Sequence, residues 1–259
     1  MEDRLARRVF CKKGRIKGLF IVLFSMRLHR FIRDVDLSVH RLVISDRATT
    51  NQLLNVFRLV VGDRFVVCDG KESEAVVEIL EVDSMIVVEI IERHSVKTES
   101  AIRVVLYCAV LKRENFEWVV QKATECGVTE VIPVVTERTV KLGVRLDRLQ
   151  TIAREAAEQC GRGVVPVIHE PTSFKEALSH SFVNGMNIAF EIGAKTLERD
   201  FRRTGVSSVG IFIGPEGGWN DDEMEQLRVA GYHVAGLGPR VLRAETAAIV
   251  ASFMITSYD

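Results

Sequence analysis

The chain has 259 residues, enough for one large domain or two small ones, and either arrangement can bury a hydrophobic core. Its 35 basic and 35 acidic side chains cancel, so no global electric field would draw it onto nucleic acid. Any such affinity must come from local basic patches. Five cysteines, an odd number without metal-ligand spacing, indicate reduced thiols in a cytoplasmic protein and predict no metal site.

The first 25 residues differ in composition from the rest of the chain. Basic side chains precede a short apolar run at residues 18–24, as in a signal peptide. That run is too short to span a membrane, and no small residues mark a cleavage site after it. We therefore expect residues 1–25 to be an extension outside the fold and expect no membrane association. An organelle or export signal is the less favoured alternative.

The segment from residue 26 to residue 97 is predicted to be rich in β-structure. Apolar alternation predicts strands at residues 65–68, 75–80 and 85–91, and residues 48–57 are typical of one helix. Several short strands separated by turn signals favour a small barrel. The polar residues 95–101 then mark a boundary between two domains.

Beyond that boundary the pattern alternates between strands and helices, which predicts an α/β domain with a mostly parallel sheet. Trp118 and the phenylalanines are interpreted as core residues. From periodicity alone an ordinary open sheet is expected, because knots are rare. The predicted strands cover residues 102–110, 130–135, 164–168, 187–191, 209–213 and 232–235, and the helices cover 115–126, 146–160, 173–179, a segment after Asn220 and a last one from Ala244.

Two glycine-rich turns follow the last two predicted strands. Residues 214–218 (GPEGG) precede a helix that Asn220 caps with Glu223 as its capping-box partner, and residues 236–239 (GLGP) precede the last helix. Such turns at the ends of parallel strands form ligand sites. No lysine follows the glycines and Glu216 stands among them, so neither phosphate fingerprint fits. Two purely structural turns are the alternative.

The segments Gly214–Gly218 and Leu237–Ala247 together resemble SPOUT-type RNA methyltransferases, and more narrowly the ribosomal RNA small subunit methyltransferase E family. Cys126 and Cys160 depart slightly from the family pattern, which more often has Leu and a small residue there. The resemblance extends to Arg30-Phe31, residues 55–58 (NVFR), 61–63 (VGD), 121–128 (QKATECGV), Pro133, 136–138 (TER) and 155–162 (EAAEQCGR).

The family resemblance implies a fold, a cofactor and partners. It implies a PUA-like RNA-binding barrel over residues 26–97 and, over residues 98–259, a SPOUT domain whose C-terminal segment is threaded into a trefoil knot. It further implies methylation of uridine N3 in 16S rRNA of the small ribosomal subunit, with S-adenosylmethionine as donor. A homodimer formed through the knot region is also implied.

The same resemblance predicts the cofactor site, while chemistry predicts the catalytic groups. Uridine N3 is a poor nucleophile until it loses its proton, so a cation that stabilises negative charge on O2 and O4, or a base, would lower the barrier. Arg243 is the candidate cation and Glu216 the candidate base; a structural ion pair is the alternative for Arg243. The predicted cofactor-binding residues are Phe190, Glu191, Gly214, Pro215, Glu216, Gly217, Gly218, Leu237, Gly238, Leu242, Arg243, Ala244, Glu245, Thr246 and Ala247.

Basic residues on both domains are candidate contacts to RNA phosphates, with solvated surface charges as the alternative. Arg154, Glu158 and Arg162 are spaced to share one helix face, which could equally be an exposed salt-bridged face. The full set of candidates is Arg27, Arg30, Arg33, Arg58, Lys112, Arg113, Lys122, Arg138, Lys141, Arg154 and Arg162.

Three other functions remain open from the sequence. A SPOUT enzyme could act on another rRNA or tRNA position, or the chain could be a non-catalytic RNA-binding or assembly protein on the same fold. A nucleotide-dependent enzyme on an ordinary doubly wound sheet is the third, although both phosphate fingerprints are missing.

Overall fold

The computed structural model describes residues 28–140, 143–197 and 205–257. The predicted extension at residues 1–25 and the candidate phosphate contacts Arg27 and Lys141 therefore lie outside the described residues. The described chain forms two β-sheets, one of five and one of seven strands. Across these ranges, no helix combines the length and the apolar character needed to cross a membrane.

The five-stranded sheet has the strand order β1-β3-β4-β5-β2. Strand β1 pairs parallel with β3, and the other pairs are antiparallel. Alternating side chains of β3, β4 and β5 are buried, as the sequence pattern predicted, and pack around Phe31 and Phe65. The strands are β1 (Arg30–Ile32), β2 (Arg41–Ile44), β3 (Arg64–Cys68), β4 (Ser73–Val82) and β5 (Ile86–Ser95).

One helical segment lies between β2 and β3, but it is not uniform. Helix α1 (Arg47–Asn51) begins after Asp46, whose carboxylate accepts hydrogen bonds from the first turn. It continues as a π-helical turn (Gln52–Val56), in which Phe57 donates its N–H to the carbonyl of Gln52 over 3.0 Å. A single helix was predicted here, and the π-helical geometry of its second half was not. Such turns are frequent at functional sites.

The seven-stranded sheet confirms the predicted α/β architecture with a parallel sheet. Its order is β12-β10-β11-β6-β7-β8, with β9 also paired to β7, and every pair is parallel. Its strands are β6 (Arg103–Ala109), β7 (Glu130–Val135), β8 (Val167–Ile168), β9 (Thr172–Ser173), β10 (Met186–Phe190), β11 (Ser208–Ile213) and β12 (His233–Ala235).

Helices cover both faces of this sheet. One core contains side chains of the helices at residues 113–125, 146–160 and 244–256. A second core contains side chains of the helices at residues 174–181 and 221–229. Strand β8 is shorter than the five residues predicted, and the N–H of Val164 hydrogen-bonds to Glu99 rather than to a strand. The helices are α2 (Arg113–Glu125), α3 (Leu146–Cys160), α4 (Phe174–Ser181), α5 (Asp221–Val229) and α6 (Ala244–Thr256).

The prediction that Trp118 and all phenylalanines belong to the core is wrong in part. Helix α2 buries Phe116, Val119 and Val120, which leaves Trp118 on its outer face with 53% of its surface exposed. Phe182 and Phe253 are exposed as well. Residue type indicates burial only on average, and the helix face decides the individual case.

Helix α3 connects the two sheets. The Glu158 carboxylate accepts the backbone N–H of Ile32 at 2.9 Å and pairs with Arg33 at 2.7 Å. The Cys68 thiol donates to the carbonyl of Gly163 over 3.3 Å. The face formed by Arg154, Glu158 and Arg162 was interpreted as a phosphate-binding or exposed face. Instead, Glu158 is an inter-sheet contact, and its side chain is only 9% exposed.

The prediction of Arg162 as an RNA contact is wrong. Gly161 ends α3 in the left-handed conformation, so Arg162 lies beyond the helix and turns inward. It is 3% exposed, pairs with Glu99 at 2.6 Å, and donates Nη1 to the carbonyls of Thr124 and Val128. Its charge is paired with Glu99 inside the protein and is not available to a phosphate.

Candidate functional site

A cavity of about 550 Å³ opens at the carboxyl edge of the seven-stranded sheet. The ends of β10 and β11, the GPEGG turn and the start of α6 meet there. Parallel strands place all their carboxyl ends at one edge, and there the GPEGG turn meets residues 241–247, whereas the glycine turn at residues 236–239 does not line the cavity. Its lining consists of Lys112, Asn115, Phe190, Glu191, Ile192, Ile213, Gly214, Pro215, Glu216, Gly218, Trp219, Val241, Leu242, Arg243, Ala244, Glu245 and Ala247.

Trp219 fixes the GPEGG turn against the strand beside it. A side chain at Gly214 would approach the indole ring to 3.1 Å, which is too close for ordinary packing. The indole Nε1 donates to the carbonyl of Phe190 over 3.2 Å, so the loop after β11 is joined to the end of β10. Gly218 has φ +70°, a conformation that other residues rarely adopt. The sequence indicated the glycines but not this role of Trp219.

The loop after β7 holds the same turn from the other side. Arg138 Nη1 donates to the carbonyls of Gly217 and Trp219 over 2.7 and 3.1 Å. Asn220 caps α5 with Glu223 in the predicted capping box, and the N–H of Glu137 donates to Glu223 over 3.0 Å. The sequence assigned Arg138 to RNA phosphate. In the structure part of its guanidinium positions the turn instead.

Three carboxylates line the cavity, in different surroundings. Burial raises the pKa of Glu191, and the charges of Arg228 and Arg138 oppose that shift. Glu216 is exposed. Glu245 is 4% exposed, and its Oε2 has no hydrogen-bond partner among the described residues. A buried carboxylate oxygen without a partner is costly, so this oxygen suits a bound donor or cation.

The two predicted catalytic side chains both lie at the cavity. Arg243 is the N-cap of α6, its side chain is 85% exposed, and its Nη1 is 4.0 Å from Glu245 Oε1. A pair at that distance leaves the guanidinium free to meet a ligand. Glu216 Oε1 is 3.5 Å from the backbone nitrogen of Lys112. Burial, reinforced by Glu216 and Glu245, raises the pKa of the Cys108 thiol, which therefore stays protonated beneath the site.

Most of the predicted cofactor-binding residues line this cavity, and four do not. A side chain at Gly217 would face Arg138 rather than the cavity. The other three are Leu237, Gly238 and Thr246. Five residues that line the cavity were not among the predicted cofactor-binding residues: Asn115, Ile192, Ile213, Trp219 and Val241. Lys112 also lines the cavity, although it was predicted as an RNA contact.

The candidate RNA contacts divide into free and paired side chains. Arg58 and Arg154 are exposed, and Lys112 is exposed at the cavity. Arg30 pairs with Glu74 and donates to the carbonyl of Arg162, while Lys122 pairs with Glu125 at 2.7 Å. The other paired candidates are Arg33, with Glu158, and Arg113, with Glu117. The free arginines stay predictions as phosphate contacts.

Comparison with known proteins gives first the class and then the family. Residues 98–256 match the RNA methyltransferase domain family. The ribosomal RNA small subunit methyltransferase E of Bacillus subtilis is 32% identical over 216 residues, which cover 78% of this chain and 84% of that protein. The one from Synechocystis is 31% identical, covering 81% of this chain and 71% of the relative.

A solved structure agrees with these relatives. The crystal structure of a ribosomal RNA small subunit methyltransferase E from Neisseria gonorrhoeae, bound to S-adenosyl methionine, superposes with a TM-score of 0.81 at 28% identity. The superposition covers 89% of this chain and 98% of that one. The chain belongs to the ribosomal RNA small subunit methyltransferase E family.

Proposed function

We propose that this protein transfers a methyl group from S-adenosylmethionine to N3 of a uridine in 16S rRNA, in the cytoplasm where ribosomes are assembled. The observation that carries the proposal is the cavity that joins the GPEGG turn to the start of α6, with Arg243 and Glu216 at its edge. The names of the relatives in the family support the rRNA substrate.

The residues of the cavity fit S-adenosylmethionine. A volume of about 550 Å³ is within the usual range for a pocket that holds a molecule of this size. Phe190, Ile213 and Leu242 offer apolar surface to an adenine ring. The partnerless Oε2 of Glu245 and the partly buried carboxylate of Glu191 suit a ligand that carries positive charge.

When bound, the cofactor supplies a methyl group on a sulfonium, which is a good leaving group. The residues of this chain then have to orient the uridine and manage its N3 proton. Arg243 lies at the cavity edge with its guanidinium exposed, so it can stabilise negative charge on the uracil carbonyl oxygens as the proton leaves. Glu216, exposed on the opposing turn, is the candidate to accept that proton.

The test is methyl transfer to small ribosomal subunits that lack the modification, with the modified base located by mass spectrometry. We expect Arg243→Ala to lower kcat by about 100-fold or more, as for loss of a group that stabilises developing charge. Cofactor affinity, measured by calorimetry, should change little. Arg41→Ala is the control, because Arg41 is an exposed arginine of β2 that does not line the cavity.

The outcomes separate the competing functions. Full turnover by Arg243→Ala would remove Arg243 from the mechanism. Methylation at another rRNA or tRNA position would change the substrate but keep the reaction. Binding of RNA without any transfer by the wild type would favour the non-catalytic assembly protein.

We also propose the finer structural features that the family resemblance implies. The bridge between Thr196 and Gly236 and the hydrogen bond from the N–H of Leu197 to the Gly236 carbonyl hold the segment before α6 against the loop after β10, which supports the trefoil knot. The five-stranded sheet supports the PUA-like barrel. Exposed Ile192, Val241 and Phe253 support a homodimer that covers this region.

A further inference from the structure

A second, larger groove of about 830 Å³ lies between the five-stranded sheet and α3. It lies at the opposite edge of the seven-stranded sheet from the cofactor cavity. Helix α3 runs back from the carboxyl edge, and the groove is lined by the end of this helix, around Gln159. Parallel strands rise about 3.3 Å per residue, so the six residues of β7 separate the two edges by roughly 20 Å.

The wall of the groove on the five-stranded side is an aromatic stack. The rings of His29 and Phe57 lie 3.8 Å apart between centroids with an interplanar angle of 31°, and both line the groove. Behind them the buried ring of Phe31 meets Phe57 edge-on at 5.8 Å. The platform is therefore held in place from the core while its outer surface faces the groove.

The backbone around this stack has unusual geometry. The π-helical turn hydrogen-bonds Phe57 to Gln52 and brings the Gln52 side chain into the groove lining beside the rings. The next residue, Arg58, has φ 57°, a left-handed conformation that is uncommon for a residue other than glycine. Irregular backbone of this kind is frequent at functional sites.

The opposite wall carries groups that match the edge of a nucleobase. Gln159 and Glu155, both exposed, line the groove from α3, and Gln52 faces them from the other side. An amide offers a donor and an acceptor, and a carboxylate accepts from an exocyclic amino group. A phosphate fits poorly inside, because Glu155 and Glu158 are acidic and the one arginine of the lining, Arg30, pairs with Glu74.

We propose that this groove binds one unpaired base of the RNA substrate at a distance from the methylated uridine, by stacking on His29 and Phe57 and by hydrogen bonds to Gln52, Glu155 and Gln159. The proposal deepens the proposed function and rests on it for the identity of the RNA. Stacking on an aromatic side chain is the general means by which proteins hold unpaired bases. Exposed Arg58 follows the stack directly and can meet the adjoining phosphate.

The experiment measures three quantities for each variant of the full-length protein. Binding of 16S rRNA is measured by filter retention, methylation of small ribosomal subunits gives KM and kcat, and calorimetry gives the affinity for S-adenosylmethionine. The variants are Phe57→Leu, which removes the ring but keeps apolar bulk against the core, and Gln159→Ala on the exposed face of α3. Phe182→Leu is the control, an exposed phenylalanine that is not part of the groove.

We expect Phe57→Leu to weaken rRNA binding and raise KM by about 5- to 100-fold, as loss of one stacked base does, with kcat and cofactor affinity unchanged. Gln159→Ala should also weaken rRNA binding and raise KM, and Phe182→Leu should change neither quantity. Thermal unfolding of Phe57→Leu shows whether this variant is folded. If it is not, the rRNA affinity and KM of Gln159→Ala alone test the proposal.

Wild-type rRNA affinity in both groove variants would overturn the proposal. It would also be overturned by a raised KM on ribosomal subunits with unchanged affinity for naked rRNA, because that result places a ribosomal protein in the groove. Failure of the proposed function is distinguishable: a wild type that binds rRNA but transfers no methyl group leaves the filter measurement intact as the test of the groove.

Discussion

Arg138 shows how one side chain can set the shape of the candidate site without lining the cavity itself. Its hydrogen bonds to the carbonyls of Gly217 and Trp219 hold the GPEGG turn from the side opposite Trp219. We expect Arg138→Ala to weaken S-adenosylmethionine binding by about 5- to 30-fold, since a hydrogen bond from a charged group contributes about 1.5–3 kcal/mol and this one is partly exposed. Calorimetry would measure the affinity.

Arg154→Ala is the control for that measurement, because Arg154 is an exposed arginine of α3 that does not line the cavity. Unchanged cofactor affinity in Arg138→Ala would mean that the turn keeps its conformation without the guanidinium. Arg138 would then return to its role as a predicted phosphate contact.

For single residues, the sequence predicted local features of the site better than it predicted the surroundings of a side chain. Glycines and the capping box are local features, so the positions of the GPEGG turn and of Asn220 and Glu223 could be predicted. Whether an arginine is free or buried depends on residues distant in sequence. Arg162 finds its partner Glu99 across 63 positions, and nothing in the local pattern distinguishes it from exposed Arg154.

Arg162 and Glu99 also make a prediction about how neighbouring elements are held together. The guanidinium joins the segment before β6 to the ends of α2 and α3. Removing one partner of a buried ion pair leaves the other charge unsatisfied and costs about 3–5 kcal/mol. We expect Arg162→Met to lower the free energy of unfolding in urea by about that amount. Arg154→Met should change it by less than about 0.5 kcal/mol, and an equal effect of both variants would contradict the assignment.

The amino edge of the large sheet contains a second ionic group, which links β6, β7 and the residue after β8. Burial acts to raise the pKa of Glu130, but hydrogen bonds from His169 and Arg103 outweigh it and lower the pKa below the ordinary 4.5. A carboxylate with a lowered pKa in the folded state stabilises the fold above its unfolded pKa and loses that contribution as pH falls through the folded one.

We therefore expect stability to decline as the pH falls below about 4.5, with a shallower decline in Glu130→Gln. Unfolding in urea at intervals between pH 7 and pH 3 would measure the slope. Glu155→Gln, an exposed carboxylate for which no hydrogen bond is expected to be lost, is the matched control. Identical pH slopes in wild type and Glu130→Gln would contradict the role of this group.

The prediction of strands and helices succeeded where apolar residues follow a regular period. It failed where pairing with a distant strand determines whether a short segment is a strand. Strand β7 and helix α3 have the bounds that periodicity predicted, because each is a regular buried element between clear stop signals. Strands β1 and β2 were missed, since three or four residues are too few to establish alternation. The π-helical turn has no sequence signature distinct from an α-helix.

Considered as a whole molecule, the protein joins its two sheets beside α3, through the contacts of Glu158, the hydrogen bond from Cys68 to Gly163 and a small apolar cluster of Ile32, Cys68, Val96 and Ala157. Glu158 accepts the N–H of Ile32 and pairs with Arg33, so a single carboxylate of α3 fixes the first strand of the smaller sheet. Because two separate cores would otherwise unfold independently, these contacts should couple them in one cooperative transition.

We expect the wild type to unfold in one calorimetric transition and Glu158→Ala to separate it into two, with the five-stranded part unfolding at the lower temperature. In this variant the buried N–H of Ile32 is left without a partner, which costs about 1–3 kcal/mol. Glu158→Gln keeps an oxygen that can accept that N–H and loses only the charge, so it should retain a single transition at a slightly lower midpoint. Two transitions in the wild type, or one unshifted transition in Glu158→Ala, would mean that the packing of the two cores couples them without this carboxylate.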